Sequence, residues 1–422
     1  MKRGLLTAAV TAAVAGALPA HVHAQAGALD PTFGGDGKIL TNAISGLDYA
    51  IDVAVQPADG KIVAAGLAGG GGGRILLVRY EADGTLDPTF SGDGKVFTNL
   101  TPGLDAANGI EVQADGKIVV AGQAGGAGGR FAVARYNADG SLDSSFSADG
   151  MALTNFTAAN DFAFGVLVQP DGKIVAAGRA GGAGGRIALA RYDADGSLDA
   201  TFSGDGRLMT NFTPGDDRAD HVVLQADEKI VAAGTANSFG RTASFAVVRY
   251  NADGTLDAGF SGDGKLRTNF TPGFDGSFGV AIQPLDQKIV AVGQAGLYLG
   301  LARYNANGSL DPTFSGDGKT RTNFTAGLDY AEEVEVQADG KIVVAGTANW
   351  FARNSRFALA RYAANGTLDP SFAGDGKVVT DFTVGFDAPF GLAIQPADEK
   401  IVAAGFASGV GGRVAVARYL GN

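Results

Sequence analysis

Hydrophobic and polar residues alternate in short runs along this chain, and the same series of runs recurs seven times. In one copy the runs cover 53–56, 61–65, 75–80 and 95–99, are rich in Val, Ile, Phe and Tyr, and are separated by Asp-Gly turns. Short runs of this composition, punctuated by turn residues, predict β-strands and not helices. We label the four strands of a repeat a, b, c and d in chain order.

A motif with the sequence LDPTFSGDGK at 86–95 marks each repeat. Its versions begin at Leu29, Leu86, Leu142, Leu198, Leu256, Leu310 and Leu368. The copies lie 54 to 58 residues apart, which suits a four-stranded propeller blade. The first copy supplies only a strand d, and the last ends on a strand c. The pattern therefore predicts an all-β fold, a single seven-bladed β-propeller over 27–422, with the N-terminal strand completing the last blade.

The N-terminal segment 1–26 has the pattern of a secretory signal peptide. Lys2 and Arg3 precede an apolar run over 5–18, and small residues follow it. Cleavage is expected after Ala24 or Ala26. No later stretch is long and apolar enough to span a membrane. The mature protein is therefore expected in the periplasm or outside the cell, as a monomer.

Charge and composition exclude several classes of function. The net charge is −11, and it becomes −13 once Lys2 and Arg3 are removed. An acidic surface argues against nucleic acid or an anionic membrane as a partner. The chain has no cysteine, and His221 is the one histidine outside the signal segment. Thiol chemistry and metal sites built from several histidines are therefore excluded.

The repeated motifs resemble a known family. LDxxFxxDGK, DGKIVxAG and ARYxxDG are similar to the bacterial delta-60 repeats, over roughly residues 27 to 422. The resemblance implies a β-propeller in an exported bacterial protein. It implies no activity and no catalytic residues.

An aspartate begins strand a in every repeat, 12 residues after the second aspartate of the LDxxF motif. Because strand a is innermost in a propeller, these residues would form a ring near one mouth of the channel. The ring is a candidate cation site. The alternative is that each carboxylate accepts hydrogen bonds from its own turn. The seven residues are Asp48, Asp105, Asp161, Asp217, Asp275, Asp329 and Asp387.

A second acidic cluster follows strand c, clearest over 193–199, and overlaps the spacing of calcium-binding loops. Arg191 occupies the first ligand position of that frame, where a fixed positive charge would oppose calcium. The preferred interpretation is a turn in which Arg191 pairs with Asp199 or a neighbouring acid. No cofactor is predicted, and calcium or another divalent cation is left open as a ligand.

The loops between strands b and c break the repeat in blades four to six. From the glycine ending strand b to the arginine of strand c the spacing is 13 residues in the other blades, but 15, 10 and 15 in these three. Variation confined to one connection is typical of a loop under functional constraint. The aromatic, amide and basic residues in or next to these three loops are candidates for contact with a sugar or a protein. They are Asn237, Phe239, Arg241, Tyr298, Trp350, Phe351, Arg353 and Arg356.

His221 lies in strand a, four residues after Asp217, where most repeats have glycine. The equivalent residues of blades one and six are Asp52 and Glu333, and Asp220 and Glu332 are adjacent in sequence. An acid-histidine cluster that lines the channel is conceivable, although a lone histidine is more often structural.

The sequence favours an exported, non-catalytic binding or scaffold propeller. It would contact an unidentified protein or a glycan through the loops of blades four to six. One alternative is a metal-assisted hydrolase or lyase that uses the acidic channel mouth. Another is a purely structural envelope or surface protein. Fold alone does not choose among them.

Overall fold

The computed structural model describes residues 25–69, 72–126, 128–408 and 411–421. The predicted signal segment lies outside the described residues, apart from residues 25 and 26. Ala26 is buried, and its carbonyl accepts a hydrogen bond from the amide of Ala373 at 2.8 Å. In the described part of the chain, no helix is long and apolar enough to cross a membrane.

The described residues form seven four-stranded antiparallel sheets, which are the predicted blades. Blade 1 has strands β2 (Asp48–Val55), β3 (Ile62–Ala68), β4 (Arg74–Tyr80) and β5 (Lys95–Thr98). Blade 2 has β6 (Asp105–Val112), β7 (Ile118–Ala124), β8 (Arg130–Tyr136) and β9 (Met151–Thr154). Blade 3 has β10 (Asp161–Val168), β11 (Ile174–Ala180), β12 (Arg186–Tyr192) and β13 (Arg207–Thr210).

The next three blades follow the same order. Blade 4 has β14 (Arg218–Leu224), β15 (Ile230–Ala236), β16 (Ser244–Tyr250) and β17 (Lys265–Thr268). Blade 5 has β18 (Asp275–Ile282), β19 (Ile289–Ala295), β20 (Tyr298–Tyr304) and β21 (Lys319–Thr322). Blade 6 has β22 (Tyr330–Val336), β23 (Ile342–Ala348), β24 (Arg356–Tyr362) and β25 (Lys377–Thr380).

Both ends of the chain build blade 7. Strands β26 (Asp387–Ile394), β27 (Ile401–Ala407) and β28 (Arg413–Tyr419) are completed by β1 (Lys38–Thr41), which pairs antiparallel with β28. The predicted closure of the ring is confirmed. Because β1 pairs with β28, the edge of β28 is not left unpaired at the point where the ring closes.

The core lies between neighbouring blades. Along β3 every residue is buried, because successive side chains point to opposite faces of the sheet and each face packs on another blade. Ile62 and Ala64 pack toward blade 7, whereas Val63 and Ala65 pack toward blade 2. Strand b is a continuous run of apolar residues because both of its faces are buried.

In six of the seven blades, the arginine of strand c donates a hydrogen bond to a backbone carbonyl of the next blade. In blade 3, Arg191 Nε donates to Asp199 Oδ2 at 2.7 Å, and its Nη1 donates to the carbonyl of Ala252 in blade 4. The guanidinium also lies over the ring of Phe202, 4.7 Å from its centroid. The predicted pairing of Arg191 with Asp199 is confirmed. These residues are repeated because they hold adjacent blades together.

Candidate functional site

A β-bulge in strand a of every blade turns one extra side chain into the channel. The register shifts between Ala219 and His221 in blade 4, for example, so that Asp220 is the bulged residue. All seven bulged residues line one cavity of roughly 580 Å³ at the channel mouth, which we call the upper cavity. They are Ile51, Asn108, Phe164, Asp220, Phe278, Glu332 and Phe390.

The residues that follow the bulges form the narrowest ring of the channel. Four of them are the glycines 109, 165, 279 and 391, and the other three are Asp52, His221 and Glu333. These three side chains line both the upper cavity and a second cavity of roughly 710 Å³ below it, the lower cavity. They therefore form the constriction between the two cavities.

The glycines make this constriction possible. A Cβ atom at Gly279 would lie 2.9 Å from Glu333 Oε1, and one at Gly391 would lie 2.6 Å from the Cα of Asp52. Because blade 5 contributes no side chain here, Glu333 of blade 6 reaches His221 of blade 4. The distance from His221 Nδ1 to Glu333 Oε1 is 3.3 Å. The structure thus brings together Glu333 and His221, which the sequence placed on separate blades.

Backbone amides also hold the acids of the constriction in place. Asp52 accepts hydrogen bonds from the amides of Ile110 at 2.9 Å and Val53 at 2.8 Å. Glu333 Oε1 accepts from the amide of Val334 at 2.8 Å. His221 Nδ1 lies 3.2 Å from the carbonyl oxygen of Val280. These contacts fix the side chains across five blades.

Burial shifts the titration of the channel residues. It raises the pKa of Asp52 to about 7, that of Asp220 to about 6 and that of Glu332 to about 8. Burial, with the nearby Asp52 carboxyl, also raises the pKa of Glu333 well above its usual range. Burial lowers the pKa of His221 to about 4. At neutral pH the channel therefore holds carboxyl groups that retain or share protons beside a neutral imidazole.

Aromatic rings form the upper wall of the cavity. Trp350 packs edge-on against Tyr330, with centroids 5.1 Å apart, and against Phe386, with centroids 4.9 Å apart. Trp350, Phe351 and Tyr330 line the upper cavity with the bulged Phe278. The cavity thus extends from the channel to the loop of blade 6. Trp350 is partly buried, and its amide donates to Leu328 O at 2.8 Å.

Arg218 is the cationic side chain among the residues that line the upper cavity. Its Nε donates to Asp220 Oδ2 at 3.0 Å. Its guanidinium lies between two rings, 5.9 Å from the centroid of Phe164 and 5.7 Å from that of Phe278. Arg218 is therefore held against one wall by an acid and two aromatic side chains.

Of the eight loop residues predicted to bind, the structure places Trp350 and Phe351 in the cavity wall. Phe239 is exposed on the loop of blade 4, over the guanidinium of Arg179, and lies outside the lining of the cavity. Tyr298 begins β20 and contacts Arg321. The remaining four, Asn237, Arg241, Arg353 and Arg356, also lie outside the lining.

The aspartates that begin strand a are fully buried. Asp105 shows the pattern, because its Oδ2 accepts from the amides of Leu100 and Thr101, and its Oδ1 accepts from Thr101 Oγ1. The amide of Gly125 in the b-to-c loop also donates to Asp105. The ring thus consists of carboxylates bonded to their own turns, and the b-to-c loops share that face.

Metal-ligating side chains are not grouped in the described residues. No set of three or more His, Asp or Glu side chains there is arranged to hold a metal ion. The acids of the constriction are instead bonded to backbone amides.

The comparisons with known proteins agree with this architecture. Six segments match the model of a family described as a domain of unknown function (DUF5122) beta-propeller: 58–90, 113–146, 169–202, 225–260, 286–314 and 337–372. The chain is a β-propeller repeat protein. No curated protein matches its sequence.

Solved structures resemble this β-propeller repeat protein in fold. A streptogramin B lyase is similar with a TM-score of 0.54 and 11% identity, over 90% of this chain and 98% of that chain. A putative 6-phosphogluconolactonase from Bacteroides uniformis ATCC 8492 is similar with a TM-score of 0.50 and 16% identity, over 83% and 90% of the two chains. At such identities the likeness concerns the fold alone.

Sequence reasoning missed the aromatic residues that strand a contributes to the site in this β-propeller repeat protein. Phe164, Phe278 and Phe390 are bulged residues, and Tyr330 and Arg218 stand next to them in the cavity. A signal was present, because the position three residues after each strand a aspartate varies between repeats, whereas the aspartate itself is constant. A variable position in the innermost strand indicates a channel lining that is free of folding constraint.

Proposed function

We propose that this propeller is a non-catalytic binding protein that takes a glycan in the upper cavity. One observation carries the proposal: a cavity of roughly 580 Å³ has aromatic walls and a few converging polar groups, at the mouth of the channel. Ligand sites in proteins commonly have this size and composition.

The residues that line the cavity can contact both the apolar face and the hydroxyl groups of a sugar. The apolar face of a pyranose ring packs against aromatic side chains, and Trp350, Tyr330 and Phe278 offer such surfaces. Hydroxyl groups need donors and acceptors, which Asn108, Gln294 and the carboxyl groups supply. A carboxyl group that retains its proton near neutral pH both donates and accepts.

Two features of the sequence extend the proposal. The repeated motifs support membership of the delta-60 repeat family, and the pattern of 1–26 supports export to the periplasm or the medium. The glycan would then meet the protein outside the cytoplasm, on the face that carries the b-to-c loops.

Trp350 gives a direct test, because it is the one tryptophan of the chain and lies in the cavity wall. Soluble oligosaccharides of glucose, galactose, mannose and N-acetylglucosamine are titrated while its fluorescence is recorded. We expect a saturable change with at least one of them. Phe351→Ala should weaken that binding about tenfold, since an aromatic contact contributes roughly 1 to 3 kcal/mol.

Phe239→Ala is the matched control. Phe239 and Phe351 are 80% and 85% exposed on the b-to-c loops of blades 4 and 6, but only Phe351 lines the cavity. Equal losses in the two variants, or no saturable signal with any sugar, would contradict the proposal.

The pair formed by His221 and Glu333, 3.3 Å apart, favours a second candidate function, proton-transfer catalysis on the bound molecule. Mass spectrometry of the bound sugar after incubation separates the two functions. An unchanged ligand supports the binding protein. A product whose formation is lost in His221→Phe supports an enzyme.

A further inference from the structure

The upper cavity contains more acidic than basic groups. Asp52, Asp220, Glu332 and Glu333 line it, against the single guanidinium of Arg218. That guanidinium is already bonded to Asp220. Among the described residues, no lysine or arginine lies within 4 Å of the carboxyl groups of the other three acids. The floor of the cavity therefore has carboxyl groups without a cationic partner.

The walls of the cavity attract cations as well. The faces of Trp, Tyr and Phe rings carry partial negative charge, and a cation placed over such a face is attracted to it. Phe164 and Phe278 already hold a cation in this way, the guanidinium of Arg218. Tyr330 packs edge to face against both Phe278 and Trp350, with centroids 5.8 and 5.1 Å apart, and lies next to Glu332 in the same lining. Aromatic faces next to carboxyl groups are a combination that binds ammonium groups.

The titration of these acids agrees with a missing positive charge. Burial raises the pKa of Glu332, and the nearby carboxylate of Asp220 raises it further, although the hydrogen bond from Tyr330 and the charge of Arg218 lower it in part. The pKa of Glu333 is raised by burial and by its neighbours Asp52, Glu335 and Glu332. A bound cation would lower these pKa values, because it stabilises the ionised form.

We propose that the ligand of the upper cavity is an amino sugar with a free, protonated amine, which binds between Glu332, Glu333 and the aromatic wall. This inference rests on the proposed glycan binding and adds the charge of the ligand. An ammonium group pairs with the acids at the cavity floor, while the sugar ring packs on Trp350 and Tyr330.

The charged and titratable groups that face this position come from three strands. They are Asp52 of β2, Arg218, Asp220 and His221 of β14, and Tyr330, Glu332 and Glu333 of β22. His221 has a lowered pKa and is neutral above pH 5, so it does not compete with the amine. Arg218 remains charged and is offset by Asp220.

The test compares two matched pairs of sugars, in which a charged amine is replaced by a neutral acetamide. Glucosamine and galactosamine tetramers are titrated beside their N-acetylated forms at pH 6.5, with Trp350 fluorescence as the signal. We expect one of the free amines to bind at least tenfold more tightly than its N-acetylated form. Its affinity should rise from pH 5 to pH 7 as the acids ionise, and it should fall with added salt. The N-acetylated forms should show neither dependence.

Variants locate the effect in the upper cavity. Glu332→Gln and Glu333→Gln should each reduce the preference for the free amine. Glu111→Gln is the matched control, because Glu111 is a channel acid whose pKa burial also raises to about 7, but it lines only the lower cavity. The control should keep the preference.

The outcomes separate this inference from the proposal on which it rests. Equal affinity within both pairs, or tighter binding of the N-acetylated forms, would overturn the amine while leaving glycan binding intact. The same holds if neutral sugars bind and neither amine does. Failure of every sugar, charged or neutral, would overturn the proposed function itself.

Discussion

At the scale of single residues, the aspartates that begin strand a show how the repeat is maintained. Six of the seven accept a hydrogen bond on Oδ1 from a threonine hydroxyl four residues earlier. In blade 1 that position is Ile44, and Asp48 Oδ1 is buried without a hydrogen-bond partner among the described residues. An unpartnered buried acceptor reduces stability, because it has lost water without replacement.

Ile44→Thr should therefore stabilise the protein. The new hydroxyl would donate to Asp48 Oδ1, as the threonines do in the other blades, and a hydrogen bond to a charged group contributes roughly 1.5 to 3 kcal/mol. The loss of apolar contact by the partly buried isoleucine offsets about 1 kcal/mol of this. We expect a net rise in the free energy of unfolding, measured by urea denaturation.

Thr101→Val provides the reverse change in blade 2. It removes the hydroxyl that bonds to Asp105 Oδ1 at 2.7 Å, and should lower the free energy of unfolding by about 1 to 3 kcal/mol. A lower stability in Ile44→Thr would show that the missing hydroxyl is not what limits blade 1.

At the scale of elements, the close approach of the innermost strands depends on glycine. Gly279 of β18 faces β22, where an added Cβ would lie 2.9 Å from the carbonyl oxygen of Glu332 and 3.0 Å from the Cα of Glu333. Backbone atoms cannot move aside cheaply. Gly279→Ala should therefore lower the free energy of unfolding by about 1 to 3 kcal/mol in chemical denaturation.

Gly182→Ala is the comparison for this element. Gly182 lies in a surface loop of blade 3, and its added Cβ would meet only the Cβ of Ala159 at 3.6 Å, an ordinary contact. We expect a change within about 0.5 kcal/mol. If Gly279→Ala were equally harmless, the strands would be able to separate, and the constriction would not be rigid.

The same strands show what the sequence could and could not predict. Strand order, blade number and ring closure followed from the repeat, because the same spacing of hydrophobic runs recurs in all seven copies. The bulge in strand a was not foreseen, since a shift of one residue appears only in the pairing with strand b. Without the bulge, Phe278 and Phe390 could not be assigned to the channel. Asp52, His221 and Glu333 were recognisable because they replace a repeated glycine.

At the scale of the whole molecule, two sets of carboxyl groups have opposite effects on the free energy of unfolding as the pH changes. The first set joins the blades and comprises Asp30, Asp87, Asp143, Asp199, Asp257, Asp311 and Asp369. Burial alone would raise their pKa values, but hydrogen bonds and the charges of arginine and lysine outweigh it, so each pKa is lowered. Their contribution to stability is present above about pH 4 and is lost as pH falls.

The second set lines the channel and behaves in the opposite way. Burial raises the pKa values of Asp52, Glu111, Asp220, Glu332, Glu333 and Glu335, in several cases to about 7 or 8. Because these groups hold protons more tightly in the folded state, their contribution is present below about pH 4 and is lost as pH rises through 6 to 8. His221, with its lowered pKa, acts in the opposite direction between about pH 4 and 6.5, but it is one group against six.

We therefore expect the free energy of unfolding to be greatest at mildly acidic pH. Between pH 5 and pH 8 it should fall by an amount on the order of a few kcal/mol. Urea denaturation across this range measures it. The double change Glu333→Gln and Glu335→Gln should flatten the decline, because both amides stay neutral, whereas Asp36→Asn on an exposed turn should leave it unchanged. A stability that is level or rises from pH 5 to pH 8 would mean that water or ions reach the channel acids and remove the cost of their ionisation.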